Sequence, residues 1–171
     1  VGPRGRWINR LIGRWTRAIL LLAGCRVDVI GLGNLHKLGP AIFVGNHASY
    51  LDPVLLMAVL PVDLRFAAKG RLAFYPLLGT AIRKGEHITI EKRELSQQIQ
   101  GANAVTAPLH EGESLFIFPE GTFVAAPGLL PFRLGAFRAA VETGRPVVPV
   151  AISGTRDILP ANTLLMSPGR I

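Results

Sequence analysis

Short β-rich runs alternate with helical stretches from residue 26 onward, and this alternation constrains the fold more than any other feature of the chain. The predicted strands are residues 26–32, 41–46, 64–69, 87–92, 114–118 and 147–153. The predicted helices between them are residues 51–60, 74–85, 94–110 and 131–144. Strands that alternate with helices are typical of an α/β domain with a largely parallel central sheet flanked by helices. We predict this fold class for residues 25–171.

One domain accounts for the whole of this region. Residues 25–171 contain no repeat, low-complexity tract or linker that would divide them, and their number suits a single core. The sequence does not begin with Met, and it ends in MSPGRI, where another strand could start. We therefore expect that the chain could be a fragment of a longer protein, with its domain truncated at the C-terminus.

Residues 1–24 are predicted to form a separate basic segment. The first 26 residues carry six arginines and no acidic residue, and they account for most of the net charge of +8. A nucleic-acid-binding protein more often spreads its basic residues over a folded face, interleaved with aromatic residues. The confinement of the charge to one apolar terminal segment therefore argues against a nucleic-acid partner.

The basic segment has the pattern of an amphipathic helix. Its apolar face consists of Trp7, Ile8, Leu11, Ile12, Trp15, Ile19 and Leu22, and its basic face of Arg6, Arg10, Arg14 and Arg17. Such a helix is typical of the surface of an anionic membrane, although it could also be an ordinary helix packed on its own domain. Its longest uncharged apolar run, residues 18–25, is too short to span a bilayer, and its scattered arginines exclude a signal peptide. We predict a peripheral or monotopic protein at the cytoplasmic face of a membrane, and the lone Cys25 suits a reducing compartment.

The stretch NHASYLD, residues 46–52, contains a candidate acid–base pair. His47 lies between a predicted strand and a predicted helix, and Asp52 lies about one turn into that helix. A carboxylate there could accept a hydrogen bond from one imidazole nitrogen and leave the other nitrogen as a general base. Asp52 could instead cap the helix that begins at DPVLL. This motif alone leaves both interpretations open.

The stretch FPEGT, residues 118–122, follows another predicted strand. A glycine and exposed backbone N–H groups in such a turn could hold a phosphate or another anionic headgroup, although a plain strand-to-loop turn is the alternative. Reactive groups of open α/β sheets gather at the carboxyl ends of the strands. His47 and Glu120 are both predicted to lie at that edge.

Together these motifs resemble the blocks of the glycerolipid acyltransferase family, whose best-known members are the 1-acylglycerol-3-phosphate acyltransferases. The family's first block, Asn-His-x-Ser-x-x-Asp, is similar to Asn46, His47, Ser49 and Asp52. Its second block, a glycine and an apolar strand that ends in an acid and arginine, resembles residues 85–92. Its third block, Phe-Pro-Glu-Gly-Thr-Arg, and its fourth, Val-Pro-Val, resemble residues 118–122 and 148–150, and residues 129–140 resemble the stretch after the third block.

The resemblance implies transfer of an acyl chain from acyl-CoA or acyl-carrier protein to the hydroxyl of a lysophospholipid, without an acyl-enzyme. It assigns the general base to His47 and the orientation of that base to Asp52. The substrate-binding positions that it implies are Asn46, Ser49, Lys92, Glu120, Gly121 and Thr122. The acyl thioester is a substrate, and we expect no cofactor and no metal, because a neutral imidazole can activate the hydroxyl.

Two departures from the family pattern concern the acceptor's phosphate. Phe123 stands where the family has arginine after Glu-Gly-Thr, and the second block ends in Lys92 followed by Arg93. Lysine keeps the charge but loses the bidentate fork of arginine, and phenylalanine loses both. We therefore hypothesise an acceptor other than lysophosphatidic acid, such as a lysophospholipid with a headgroup. The cations that could substitute are Lys69, Lys84, Arg133 and Arg156.

Other features carry less chemistry. His36, His87 and His110 have no paired acid in a comparable motif, and GLG at 31–33 lacks the continuation of a dinucleotide-binding loop. The sequence has no G-x-S-x-G elbow, and nothing marks Cys25 as an activated thiol. Neither feature therefore indicates an acyl-enzyme. The alternatives to thioester-dependent transfer are a CoA-independent transacylase and a non-catalytic membrane-binding module.

Overall fold

The computed structural model contains a sheet of five short strands, and it describes residues 3–90, 100–163 and 165–171. The strands are β1 (Ile42–Gly45), β2 (Leu64–Lys69), β3 (Ile88–Ile90), β4 (Ser114–Ile117) and β5 (Val147–Val150). Their order across the sheet is β3-β2-β4-β1-β5, and every pairing is parallel. The predicted α/β fold with a parallel central sheet is confirmed.

Helices cover both faces of the sheet. They are α1 (Pro3–Leu22), α2 (Leu51–Val59), α3 (Pro76–Lys84), α4 (Gln100–His110), α5 (Gly135–Thr143) and the short α6 (Thr155–Ile158). Two 3-10 turns at Leu32–Leu35 and Gly70–Phe74 join these elements. Among the described residues, none of the helices has both the length and the apolar character needed to cross a membrane.

The core has two layers because successive side chains of a strand point to opposite faces. Phe43 of β1 packs with residues of α1 and α2, whereas its neighbours Ile42 and Val44 pack with residues of α4 and α5. β1 lies between β4 and β5, so it is hydrogen-bonded on both sides and fully buried. This central position fixes the start of the loop that follows β1.

The predicted strand at residues 26–32 is wrong. In the described chain only Arg26 forms a bridge, to Arg170, and the chain then enters the 3-10 turn. Gly31 has a left-handed φ of 86°, and Ile30 is 97% exposed. The N–H of Asp28 also donates to the carbonyl of Ile171 at 2.8 Å, so residues 26–28 pair locally with residues 169–171 without forming the longer strand that the apolar run predicts.

Two other predicted boundaries change for reasons that concern the site. The helix predicted at residues 131–144 begins only at Gly135, because the preceding segment hydrogen-bonds to the FPEGT turn. The strand predicted at residues 147–153 ends at Val150 and is a half-exposed edge strand rather than a buried one. Pro149 suits an edge, since it cannot donate a ladder hydrogen bond.

Residues 91–92 of the fourth predicted strand and 94–99 of the third predicted helix lie outside the described residues.

Helix α1 packs on the domain through its small and polar residues. Asn9, Thr16 and Leu20 are buried, and a Cβ added at Gly13 would lie 2.5 Å from the carbonyl oxygen of Met57 in α2. The predicted apolar face points elsewhere: Trp7, Leu11, Trp15, Ile19 and Leu22 are between 37% and 88% exposed. The helix therefore has one face against the domain and a separate, open apolar face.

Candidate active site

Two loops meet at the carboxyl edge of the sheet. The first, residues 46–50, follows β1, and the second, residues 118–123, follows β4. Because β1 and β4 are neighbouring parallel strands, both loops leave the sheet at the same edge. A hydrogen bond of 2.8 Å joins them, from the backbone N–H of His47 to Oε1 of Glu120.

His47 and Asp52 form a hydrogen-bonded pair. The distance between His47 Nδ1 and Asp52 Oδ2 is 2.8 Å, and the carboxylate is fully buried. The same oxygen accepts the backbone N–H groups of Ala48 at 2.7 Å and Ser49 at 2.9 Å. Since the carboxylate is the acceptor, Nδ1 carries a proton, and in the neutral imidazole Nε2 then has the lone pair. The imidazole side chain is 16% exposed, so an outside group can reach Nε2.

This geometry bears on the alternative role of Asp52 as a helix cap. Asp52 lies in the first turn of α2, but its carboxylate turns back to the residues that precede the helix. It therefore orders the loop and orients the imidazole at the same time. The loop and the ring are held by one buried oxygen.

Aromatic rings fix the other faces of the imidazole. The ring of Phe118 stacks on His47 with centroids 4.1 Å apart, and the ring of Phe123 lies tilted at 4.6 Å. Tyr50 in turn meets Phe123 edge-on at 4.8 Å. Sequence reasoning missed these contacts, because it treated Phe118 as the end of a strand and Phe123 only as a missing arginine. The order of residues in FPEGTF carried the signal, since both phenylalanines flank the turn that contacts His47.

Glu120 accepts hydrogen bonds from backbone N–H groups of the site. Its carboxylate is almost fully buried, and each oxygen accepts one backbone N–H: Oε1 from His47 and Oε2 from Leu130 at 2.7 Å. The carboxylate thus joins the loop after β1 to the segment before α5. Its contacts within the chain favour a positioning role over direct contact with an acceptor.

Asn46 and Ser49 also bind their own chain. The amide group of Asn46 donates to the carbonyl of Ile152 and accepts its N–H, both at 2.8 Å, which ties the chain after β5 to the loop that carries His47. The hydroxyl of Ser49 donates to the carbonyl of Leu159 at 2.7 Å and is fully buried. These side chains shape the loop that carries His47.

Three predicted site residues remain: Gly121, Thr122 and Lys92. Gly121 has a φ of 68°, in the left-handed region that favours glycine. Among the described residues, the hydroxyl of Thr122 makes only a long contact of 3.5 Å, with the carbonyl of Phe123. Lys92 lies outside the described residues.

A second histidine, His87, lies partly buried away from this site. The ring of His87 accepts the backbone N–H of Phe66 at Nδ1 and meets the Phe66 ring edge-on. Burial, and then the positive charge of Arg65, lower the pKa of His87 from 6.5 to about 4. His87 is therefore neutral at pH 7 and belongs to the packing of β2 and β3.

Known proteins resemble this chain over most of its length. A family model described as acyltransferase matches residues 26–153. The chain is 30% identical over 159 residues to a chloroplastic 1-acyl-sn-glycerol-3-phosphate acyltransferase of Brassica napus, across 92% of this chain and 46% of that protein. It is 27% identical over 153 residues to the 1-acyl-sn-glycerol-3-phosphate acyltransferase of Haemophilus influenzae, across 89% of this chain and 64% of that protein.

A solved structure has the same fold. The 1-acyl-sn-glycerophosphate acyltransferase PlsC from Thermotoga maritima superposes with a TM-score of 0.81 at 26% identity, across 97% of this chain and 66% of that one. This chain thus spans between 46% and 66% of the length of these three relatives. The family match includes both loops of the candidate site and most of the chain. The chain belongs to the acyltransferase family.

Proposed function

We propose that this protein transfers a fatty acyl chain from an acyl thioester to the free hydroxyl of a lysophospholipid, with His47 as general base. The observation that carries the proposal is the hydrogen bond of 2.8 Å between His47 Nδ1 and the buried Asp52. It holds the neutral imidazole in the tautomer whose Nε2 can take a proton. The relatives named as 1-acyl-sn-glycerol-3-phosphate acyltransferases support the same chemistry.

The proposed reaction is a direct displacement. Nε2 of His47 removes the proton of the acceptor hydroxyl as its oxygen attacks the thioester carbonyl. A carbon–oxygen bond forms, the carbon–sulfur bond breaks, and the proton passes to the departing thiolate. Asp52 stabilises the imidazolium that forms in between, because its charge lies against Nδ1. The donor is acyl-CoA or acyl-carrier protein.

The acceptor is proposed to be a 1-acylglycerol 3-phosphate. Relatives from a plant chloroplast, a bacterium and yeast all carry the name 1-acyl-sn-glycerol-3-phosphate acyltransferase. Glu120 would act on this acceptor indirectly, because both of its oxygens hold the backbone of the site. The hydroxyl of Thr122 is a group of the turn that could meet it directly.

The protein is further proposed to work on the cytoplasmic face of an anionic membrane. The apolar face of α1 is exposed, with Trp7 at 63% and Trp15 at 64%, although another face of the same helix is packed on α2. Exposed arginines lie along a different side of the helix. Tryptophan and arginine so arranged favour the interface between lipid headgroups and acyl chains, where the acceptor lipid resides.

The test is an acyl-transfer assay with purified protein in mixed micelles. Lysophosphatidic acid and headgroup-bearing lysophospholipids are each combined with acyl-CoA and with acyl-carrier protein, and both the lipid product and the free thiol are measured. We expect His47→Ala to lose at least about 100-fold in kcat, since a general base contributes roughly 10²–10⁴-fold. His110→Ala removes an exposed histidine at the end of α4 and serves as the matched control.

The same assay separates the alternatives. Product without release of thiol would indicate a transacylase, and no product with any pair of substrates would indicate a non-catalytic module. Full turnover in a correctly folded His47→Ala protein would overturn the mechanism. Circular dichroism of both variants checks that the fold is retained.

A further inference from the structure

A second arginine lies on the turn whose usual arginine is replaced by Phe123. A Cβ built on Gly121 would lie 2.9 Å from Nε of Arg133 and 3.0 Å from its Cζ. The guanidinium therefore covers the backbone of Gly121, twelve residues earlier in the chain. A cationic group is present at the Glu-Gly-Thr turn, although it comes from another segment.

Two hydrogen bonds fix this segment against the turn before α5 begins. The N–H of Leu130 donates to Oε2 of Glu120 at 2.7 Å, and the N–H of Arg133 donates to the carbonyl of Pro119 at 2.9 Å. These bonds explain why residues 131–134 are not helical. The backbone of Arg133 is thus held at the turn, and only its side chain remains to move.

The guanidinium of Arg133 is available to a ligand. Arg133 is exposed, and in the part of the chain that the structure describes its side chain has no hydrogen bond or ion pair. Two other arginines are engaged: Arg65 pairs with Glu113, and Arg170 pairs with Asp28. An unpaired planar guanidinium offers several N–H donors in the geometry that matches a phosphate.

We propose that Arg133 binds the phosphate monoester of the acceptor lipid. This inference rests on the proposed function, because that function puts the acceptor hydroxyl at Nε2 of His47. In a 1-acylglycerol 3-phosphate only one carbon and one ester oxygen separate the hydroxyl-bearing carbon from phosphorus, so the phosphate must lie near the base. The turn that Arg133 covers borders that base through the hydrogen bond from His47 to Glu120.

The acyl donor is a less suitable source of the bound phosphate. The phosphates of coenzyme A are separated from the thioester by the whole pantetheine arm, so nothing requires them to lie beside His47. No hydrogen bond, ion pair or ring contact among the described residues joins Lys84 or Arg156 to either loop of the site. Arg133, by contrast, lies against the turn.

In the family pattern, the arginine after Glu-Gly-Thr both follows the turn and supplies the positive charge. In this chain these two roles fall to different residues. Phe123 packs on the imidazole of His47, while the charge comes from Arg133. The absence of arginine at position 123 then no longer argues against lysophosphatidic acid. Glycine at position 121 is favoured by its φ of 68°, and a side chain there would also displace the guanidinium of Arg133.

The test is calorimetric titration of the purified full chain with glycerol 3-phosphate in one arm and coenzyme A in the other. Arg133→Gln should weaken glycerol 3-phosphate about 10- to 100-fold, since hydrogen bonds to charged groups are worth roughly 1.5–3 kcal/mol. Arg133→Lys should retain part of the affinity because it keeps the charge without the fork. Arg138→Gln, an exposed arginine of α5, is the matched control and should bind as the wild type does.

The outcomes are separable from those of the transfer assay, because no acyl group is present. Unchanged affinity of Arg133→Gln for glycerol 3-phosphate would overturn the proposal, and so would a loss confined to coenzyme A. A wild-type protein that does not bind glycerol 3-phosphate would also overturn it. Binding that depends on Arg133 in a protein without acyl transfer would support the phosphate site and reject only the proposed function.

Discussion

The backbone N–H of His47 donates a hydrogen bond of 2.8 Å to the carboxylate of Glu120, and the two residues are 73 positions apart in the chain. The second carboxylate oxygen accepts the N–H of Leu130. Glu120 is thus the common acceptor for the loop that carries the proposed base and for the segment that carries Arg133. Glu120 was expected to contact the acceptor. Its hydrogen bonds indicate instead that it holds together the two segments that carry His47 and Arg133.

Replacement of Glu120 by Gln should disturb both loops. The amide nitrogen of glutamine cannot accept a hydrogen bond, so one of the two buried backbone N–H groups loses its partner. We expect the free energy of unfolding in urea to fall by about 1–3 kcal/mol and kcat to fall with it, because the backbone of His47 shifts. Glu142→Gln changes an exposed carboxylate on α5 and controls for the loss of charge. Equal urea midpoints and equal turnover in the two variants would contradict the positioning role.

The sequence predicted where the site lies better than how its residues are used. His47 and Glu120 follow apolar runs, and parallel strands necessarily bring such residues to one edge of the sheet. The partners of Asn46 and Ser49 could not be predicted, because Ile152 and Leu159 lie more than 100 residues away. A motif alone does not distinguish a side chain that meets substrate from one that holds the loop.

Local patterns also failed where tertiary contacts decide the outcome. Residues 131–134 have helical character, yet the hydrogen bond from Arg133 to Pro119 holds this segment at the turn, and the helix begins only at Gly135. The apolar face of α1 was visible in the sequence, but which face packs on α2 depends on the close approach that Gly13 permits. Both cases concern contacts between segments distant in sequence, which periodicity does not encode.

His87 should make the protein less stable in acid. Its pKa is about 4 in the folded protein, mainly because of burial, and 6.5 is the ordinary value for the unfolded chain. Between these values the unfolded state binds more protons, so the free energy of unfolding falls as pH drops from about 6.5 to about 4. The slope from this one group is at most about 1.4 kcal/mol per pH unit.

The measurement is urea unfolding at several pH values for the wild type, His87→Gln and His36→Gln. Glutamine at position 87 can still accept the N–H of Phe66 but does not titrate, so the acid slope should become shallower. His36 is exposed, and its replacement should leave the slope unchanged. Parallel curves for all three proteins would show that His87 does not contribute to the acid sensitivity.

The exposed face of α1 should determine binding to lipid. In the double variant Trp7→Ser/Trp15→Ser two side chains that are 63% and 64% exposed lose their apolar rings, while the face that packs on α2 is unchanged. Because burial of a large aromatic side chain is worth roughly 1.5–3 kcal/mol, partition onto vesicles should fall at least about tenfold.

Vesicles of phosphatidylcholine with and without phosphatidylglycerol, assayed by co-sedimentation, separate the apolar contribution from that of the arginines. Val141→Ser removes a still more exposed apolar side chain, 86% exposed on α5 at the opposite face of the sheet, and should bind as the wild type does. If the tryptophan variant and the Val141 variant sediment with the vesicles to the same extent, α1 is not the surface that meets the membrane.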